Sequence, residues 1–174
     1  MIRGLLAATV VAFTAGCATP TDTVIEAPWT SGRLSLRVDA TPERIAQSLS
    51  ATFELRGAGD RGELRLSSPL GTLMAAATWA PGQAVLRSAE GERRFASLDD
   101  LARQALGEPL PLAALPDWLA GRPWPEAPHE LQPGGFGQLG WRVQTERLAD
   151  GWITAQRAAP PAIQLRVKLD RPDP

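Results

Sequence analysis

The sequence predicts a mainly β domain: antiparallel strands joined as consecutive hairpins, a meander that can curl into a barrel, interrupted by a few short helices. Three observations carry this reading. Apolar and polar residues alternate in several runs, turn residues fall between those runs, and the middle of the chain changes to a helical period.

The alternating runs are specific. Leu34, Leu36 and Val38 alternate with Ser35 and Arg37, and Leu49, Ala51, Phe53 and Leu55 with Ser50, Thr52, Glu54 and Arg56. Leu64 and Leu66 alternate with Glu63 and Arg65, and Ile163, Leu165, Val167 and Leu169 with Gln164, Arg166, Lys168 and Asp170. Each run has one apolar and one polar face, the pattern of an antiparallel sheet wet on one side. Gly57-Ala58-Gly59-Asp60, Pro81-Gly82 and Ala89-Glu90-Gly91-Glu92 supply the turns. The stretch Thr72 to Trp79 reads as a strand. Its alanines suit a helix, but Pro81-Gly82 follows closely and its neighbours are strands.

In the middle, Ser97 is placed to cap a helix, with Asp100 three residues on in a shortened capping box. Leu98, Leu101, Ala102, Ala105 and Leu106 fall on one face and Gly107 closes the helix. A second short helix is predicted over Leu112 to Ala120, starting or bending at Pro116, with Leu115, Trp118 and Leu119 on one side and Gly121 ending it. Two small amphipathic helices in a strand-rich chain have one economical place, over or inside the mouth of the curled sheet.

The first residues carry their own signal. Met1-Ile2-Arg3 bears one positive charge, and an apolar stretch from Leu5 to Phe13 follows, too short to span a bilayer, which takes ~20 residues. Small residues then precede Cys17, the only cysteine of the chain, so no disulfide is available to it. The reading is a leader over residues 1–16. Ala15-Gly16-Cys17 resembles a bacterial lipobox, in which the thiol is acylated and becomes the first residue; Thr14 stands where such boxes usually carry Leu. An ordinary secretory leader with an incidental cysteine is the alternative. Ala18, in place of an Asp, favours export to the outer of two membranes. Residues 17–28, rich in Thr and Pro and without a period, read as an acylated tether that could hold a domain some ~30 Å from a membrane. The domain then covers residues 29–174, with a loose tail at Arg171-Pro172-Asp173-Pro174.

Composition narrows the function. Eighteen basic side chains face 19 acidic ones, scattered without a basic run, which argues against nucleic acid as a partner. Six Trp and no Tyr supply large apolar surface with a single donor each. Catalytic signals are nearly missing. The only histidine, His129, lies in Pro128-His129-Glu130 with no nucleophile motif, and reads as a surface residue. One histidine and no thiolate cluster give no metal site, and no cofactor is expected. Asp99-Asp100 reads as a helix first turn, Asp60 and Glu63 as turn residues, and Gly134-Gly135-Phe136-Gly137 lacks the Lys-Ser/Thr of a phosphate loop. The chain is not expected to be an enzyme.

Ser67-Ser68-Pro69-Leu70-Gly71-Thr72 links two predicted strands, and its Pro and Gly suit a type I turn with Leu70 at the apex. Turn geometry leaves two readings, Leu70 outward toward lipid or a partner, or folded back on the barrel.

With these residues in hand, the chain resembles the LolB family of outer-membrane lipoprotein receptors. The likeness rests on Trp29 with Gly32-Arg33-Leu34-Ser35-Leu36, on Ser68-Pro69-Leu70-Gly71-Thr72, and on Trp79-Ala80-Pro81-Gly82. It continues through the helix from Ser97, Pro109-Leu110-Pro111-Leu112, Trp118-Leu119-Ala120-Gly121-Arg122-Pro123 and Gly140-Trp141. The resemblance implies an incomplete antiparallel β-barrel of about 10–11 strands, with helices capping a hydrophobic cavity for acyl chains. It implies an anchored monomer in the outer membrane, facing the periplasm. That monomer takes lipoprotein cargo from a soluble periplasmic carrier of the LolA type and delivers it to outer-membrane lipid. Cys17 would be the lipid anchor, and Leu70 would hold the place of the leucine that aids cargo release. The candidate cavity lining is Leu34, Leu36, Leu49, Phe53, Leu55, Leu64, Leu66, Trp79, Phe95, Leu115, Trp118, Trp141 and Val143, each of which could equally be packed core. A rival expectation fits the periods too: a structural lipoprotein with a filled barrel that docks an envelope assembly.

Overall fold

The computed structural model describes residues 27–170, apart from Pro109; the leader, Cys17, most of the tether and the tail lie outside the described residues. Alternation makes eleven strands: β1 (Thr30–Val38), β2 (Gln47–Gly57), β3 (Gly62–Ser67), β4 (Leu73–Ala80), β5 (Gln83–Ser88), β6 (Gly91–Phe95), β7 (His129–Gln132), β8 (Gly135–Gln138), β9 (Trp141–Gln144), β10 (Trp152–Arg157) and β11 (Ile163–Leu169). They form one antiparallel sheet in the order β6-β5-β4-β3-β2-β1-β11-β10-β9-β8-β7. The first and last strands pair, with Leu34 opposite Val167 and Leu36 opposite Leu165, so the ends of the domain meet at the centre of the sheet. The free edges are β6 and β7, and the sheet curls without joining them.

The segment between those edges holds the helices α1 (Leu98–Leu106) and α2 (Leu115–Leu119). The Ser97 hydroxyl accepts the Asp100 N–H at 3.1 Å and donates to the Asp100 carboxylate at 2.8 Å, and Gly107 ends α1 at a φ of 70°. The single helix predicted over Leu112 to Ala120 is divided. A 3-10 turn, Leu112–Ala114, precedes α2, whose first turn holds Pro116, where the missing N–H has no helical partner to lose.

The β3–β4 hairpin carries an irregularity the sequence did not announce. Leu66 pairs with Ala75 but Ser67 pairs with Leu73, leaving Met74 as an extra residue. A bulge of one residue exchanges the faces of the strand beyond it. Met74 therefore joins Ala75 on the cavity side, while Leu73 is 59% exposed.

Three polar knots hold the curl. Gln138 on β8 is only 3% exposed and uses its whole side chain. Its oxygen accepts from the Trp118 indole at 2.8 Å and the Trp124 N–H at 2.9 Å. Its amide nitrogen donates to the carbonyls of Trp124 at 2.7 Å and Ala127 at 2.8 Å. Glu108, buried after α1, accepts from Arg44 at 3.1 Å and Arg157 at 3.0 Å, joining the β1–β2 loop and β10 to the helical segment. At the start of the domain the Trp29 ring lies under the guanidinium groups of Arg56 and Arg65, 4.5 and 4.6 Å from its centre. Glu63 bridges the same two arginines. Burial alone would raise its carboxyl, but the hydrogen bonds and charges of Arg56 and Arg65 outweigh burial and hold it below its ordinary value.

Gln138 offers a direct test. Gln138→Leu keeps the volume but strands the buried Trp118 indole and removes the partner of the part-buried Trp124 N–H and of the Trp124 and Ala127 carbonyls. Each orphaned group costs ~1–3 kcal/mol. The variant is expected to lose at least ~3 kcal/mol in a urea titration; a midpoint unchanged from wild type refutes the role.

Candidate functional site: an apolar cavity and a protruding hairpin

Inward side chains of the curled sheet outnumber the groups available to cover them. From β1 come Leu34 and Leu36, from β2 Leu49, Phe53 and Leu55, and from β3 Leu64 and Leu66. β11 adds Leu165 and Val167, and β4 adds Met74 with the small Ala75 and Ala77. The roof is Leu101 of α1, Leu112, and Leu115, Trp118 and Leu119 around α2, with Trp141 on the far wall. Small residues on β4 and a short roof leave a cavity of about 470 Å³, within the ~300–1,000 Å³ span of ligand pockets. Leu34, Leu49, Leu64 and Leu66 pack against the core cluster and are only half-buried, because they also face this space.

Trp118 lines the cavity and is also fixed. It is 2% exposed, lies edge-on to Phe136 at 6.4 Å and tilted against Trp141 at 6.1 Å, and has its indole N–H on Gln138.

Three expected lining residues pack elsewhere. Trp79 turns over Gly62, where an added Cβ would fall 2.2 Å from the ring, and its indole N–H donates to the Ala58 carbonyl at 3.2 Å. It plugs the β2–β3 end of the sheet. Phe95, at the end of β6, sits opposite Ala84 in the core beneath the Arg93 guanidinium. Val143 is wholly buried between Phe136 and Ala155 of the flanking strands. All three share the inward parity of the others; register places them above or below the void.

The lining also holds residues outside the sequence expectation: Met74, Leu86, Leu165 and Val167 among the apolar ones. The alternation of β11 was visible, but its pairing with β1 was not. Met74 was hidden by the bulge.

Beside the cavity, the β3–β4 hairpin projects. The Gly71 N–H bonds the Ser68 carbonyl at 2.8 Å, closing the turn, and the positive φ of 85° falls on Gly71. Leu70 is 95% exposed at the apex. Leu70, Leu73 and Met74 are exposed apolar residues of this hairpin, and Met74 also lines the cavity.

His129 lies exposed on β7, in a wider groove of about 1110 Å³. Arg37, Arg142, Gln156 and Arg157 also line that groove, a wet and polar setting that does not exclude water from an alkyl chain.

The comparisons with known proteins agree with this arrangement. The family model described as outer membrane lipoprotein LolB matches residues 29–171. The outer-membrane lipoprotein LolB of Bordetella petrii is 35% identical over 188 residues, covering 98% of this chain and 94% of that protein. Its namesake from Chromobacterium violaceum is 33% identical over 161 residues, covering 86% of each. An unclosed eleven-stranded sheet over an apolar cavity, read with this likeness along nearly the whole chain, places the protein in the LolB family, as an outer-membrane lipoprotein of the lipoprotein localisation pathway.

Proposed function

We propose that the protein is the receptor that takes lipoproteins from a soluble periplasmic carrier of the LolA type, houses their acyl chains in the cavity, and passes them to the outer membrane through the β3–β4 hairpin. The carrying observation is the unfilled apolar volume beside a hairpin whose Met74 lines it and whose tip residue, Leu70, is exposed. Open space supports this reading over a barrel packed solid for a structural task.

The physics explains the need. Each buried CH₂ is worth ~0.8 kcal/mol, so cargo with several long acyl chains would lose tens of kcal/mol in water. Transfer must run from one apolar enclosure to another. Direction then comes from affinity: the receptor holds acyl chains better than the carrier, and the bilayer holds them better than the receptor. The receptor acts as a monomer, and residues 17–28 tether it to the membrane through acylated Cys17.

Three experiments test these parts. Leu64→Trp fills the void from one wall. Because the added ring has open volume to enter beside the core that Leu64 packs against, the stability loss is expected to stay at or below the ~1–3 kcal/mol of an overpacked core. Uptake of a fluorescent acyl probe should fall severalfold; unchanged uptake would remove the cavity from the mechanism.

Leu70→Glu leaves fold and cavity alone, since exposed substitutions usually stay within ~0.5 kcal/mol. It makes insertion of the tip into lipid unfavourable. In a reconstituted assay it should accept cargo from the carrier normally and deliver little to vesicles, while Leu70→Ile stays close to wild type. Normal delivery by Leu70→Glu rules the tip out.

Labelling with a clickable fatty acid should mark the wild-type chain and not Cys17→Ala. A labelled Cys17→Ala chain would place the anchor elsewhere.

A further inference from the structure

One lip of the cavity is not apolar. Ser88, Glu90, Arg93 and Gln104 share the lining with the leucines, and all four come from the β5–β6 hairpin and α1. Glu90, Arg93 and Gln104 are exposed as well as lining, so they stand at the opening rather than the floor.

Register sets Arg93 apart from its neighbours. It pairs with Leu86, a cavity residue, and therefore faces inward, while Glu92 and Arg94 face outward. The outward charges neutralise one another: Glu92 accepts from Arg87 at 3.0 Å and from Arg94 at 3.1 Å. Arg93 has no carboxylate among the described residues; its guanidinium rests over the Phe95 ring, 5.2 Å from its centre. Glu90 forms no ion pair with it, and Ser88 is occupied with the Glu90 N–H at 3.2 Å.

We propose that Arg93 and Gln104 form a carbonyl-binding subsite at the cavity mouth, taking the ester and amide oxygens that join acyl chains to their headgroup. This rests on the acyl-chain reading of the cavity. An amphiphile whose chains fill the interior leaves its first polar atoms at the lip, and those atoms are hydrogen-bond acceptors. Arg93 has five donors and no acceptor, and Gln104 adds an amide donor. A guanidinium is weakly hydrated and keeps a fixed planar fork, so it can stay beside an aromatic ring and still point donors at a carbonyl. The floor then recognises chain length, and the lip recognises that the chains are esterified. Lipidated protein and phospholipid both carry such carbonyls.

The test uses the whole chain in the Cys17→Ala background, so that no attached lipid competes for the cavity. Diphenylhexatriene, a hydrocarbon without polar atoms, reports on the interior. A tripalmitoyl-cysteinyl peptide and a short-chain phosphatidylcholine compete with it. Arg93→Met together with Gln104→Leu should leave diphenylhexatriene affinity within about twofold and weaken the lipopeptide about tenfold. Parallel weakening of the phospholipid assigns the subsite to ester carbonyls in general; weakening of the lipopeptide alone assigns it to the acylated cysteine. Unchanged lipopeptide affinity, or equal loss of the hydrocarbon, overturns the subsite while leaving the cavity in place. A parent chain that binds none of the three overturns the cavity reading and the subsite with it.

Discussion

The ladder of backbone hydrogen bonds runs unbroken through eleven strands, yet its two outer strands, β6 and β7, do not meet. A sheet bent this far turns one face on itself, and that face must leave water. Here the gap is bridged by a segment with nine helical residues in α1 and five in α2. Those turns cover the concave face without filling it. The cavity is the geometric remainder between a long curled sheet and a short roof.

The roof packs into the core through Leu101, Leu112, Trp118 and Leu119, and polar groups fix where it sits. Gln138 fixes α2 and the chain after it through four hydrogen bonds, one to Trp118 and three to Trp124 and Ala127, and Glu108 fixes the chain after α1 through two arginines. A buried polar group whose hydrogen bonds are all made, as at Gln138, defines one arrangement sharply.

Much of this was legible in the chain. The strands β1, β2, β3 and β11 read directly because one face is wet and the other dry. The Ser97 cap and the Gly107 stop marked α1. The short strands β7 to β9 did not read: each has four residues, and Gly135 and Gly137 carry no side chain to show a face. On β4 the bulge at Met74 broke the period that would have declared its inner face. The cavity was legible as a parity and illegible as a height. Leu64 and Trp79 obey the same alternation, and only the register of neighbouring strands puts one beside the void and the other over Gly62. Leu70 could be singled out because Pro69 and Gly71 fix a turn without it. The polar lip could not, since Arg93 looks inward only once β6 is paired with β5.

Leaving the barrel open also exposes two raw strand edges, the kind of surface on which β proteins add further strands and aggregate. Both edges here are brief, five residues in β6 and four in β7. Glu92, Arg93 and Arg94 crowd the first, and His129 and Glu130 occupy the second. Another chain approaching either edge meets charge before it meets a usable run of backbone donors. A sheet that leaves an apolar interior open thus keeps its backbone from copies of itself, and the same two strands that leave the barrel unclosed carry that protection.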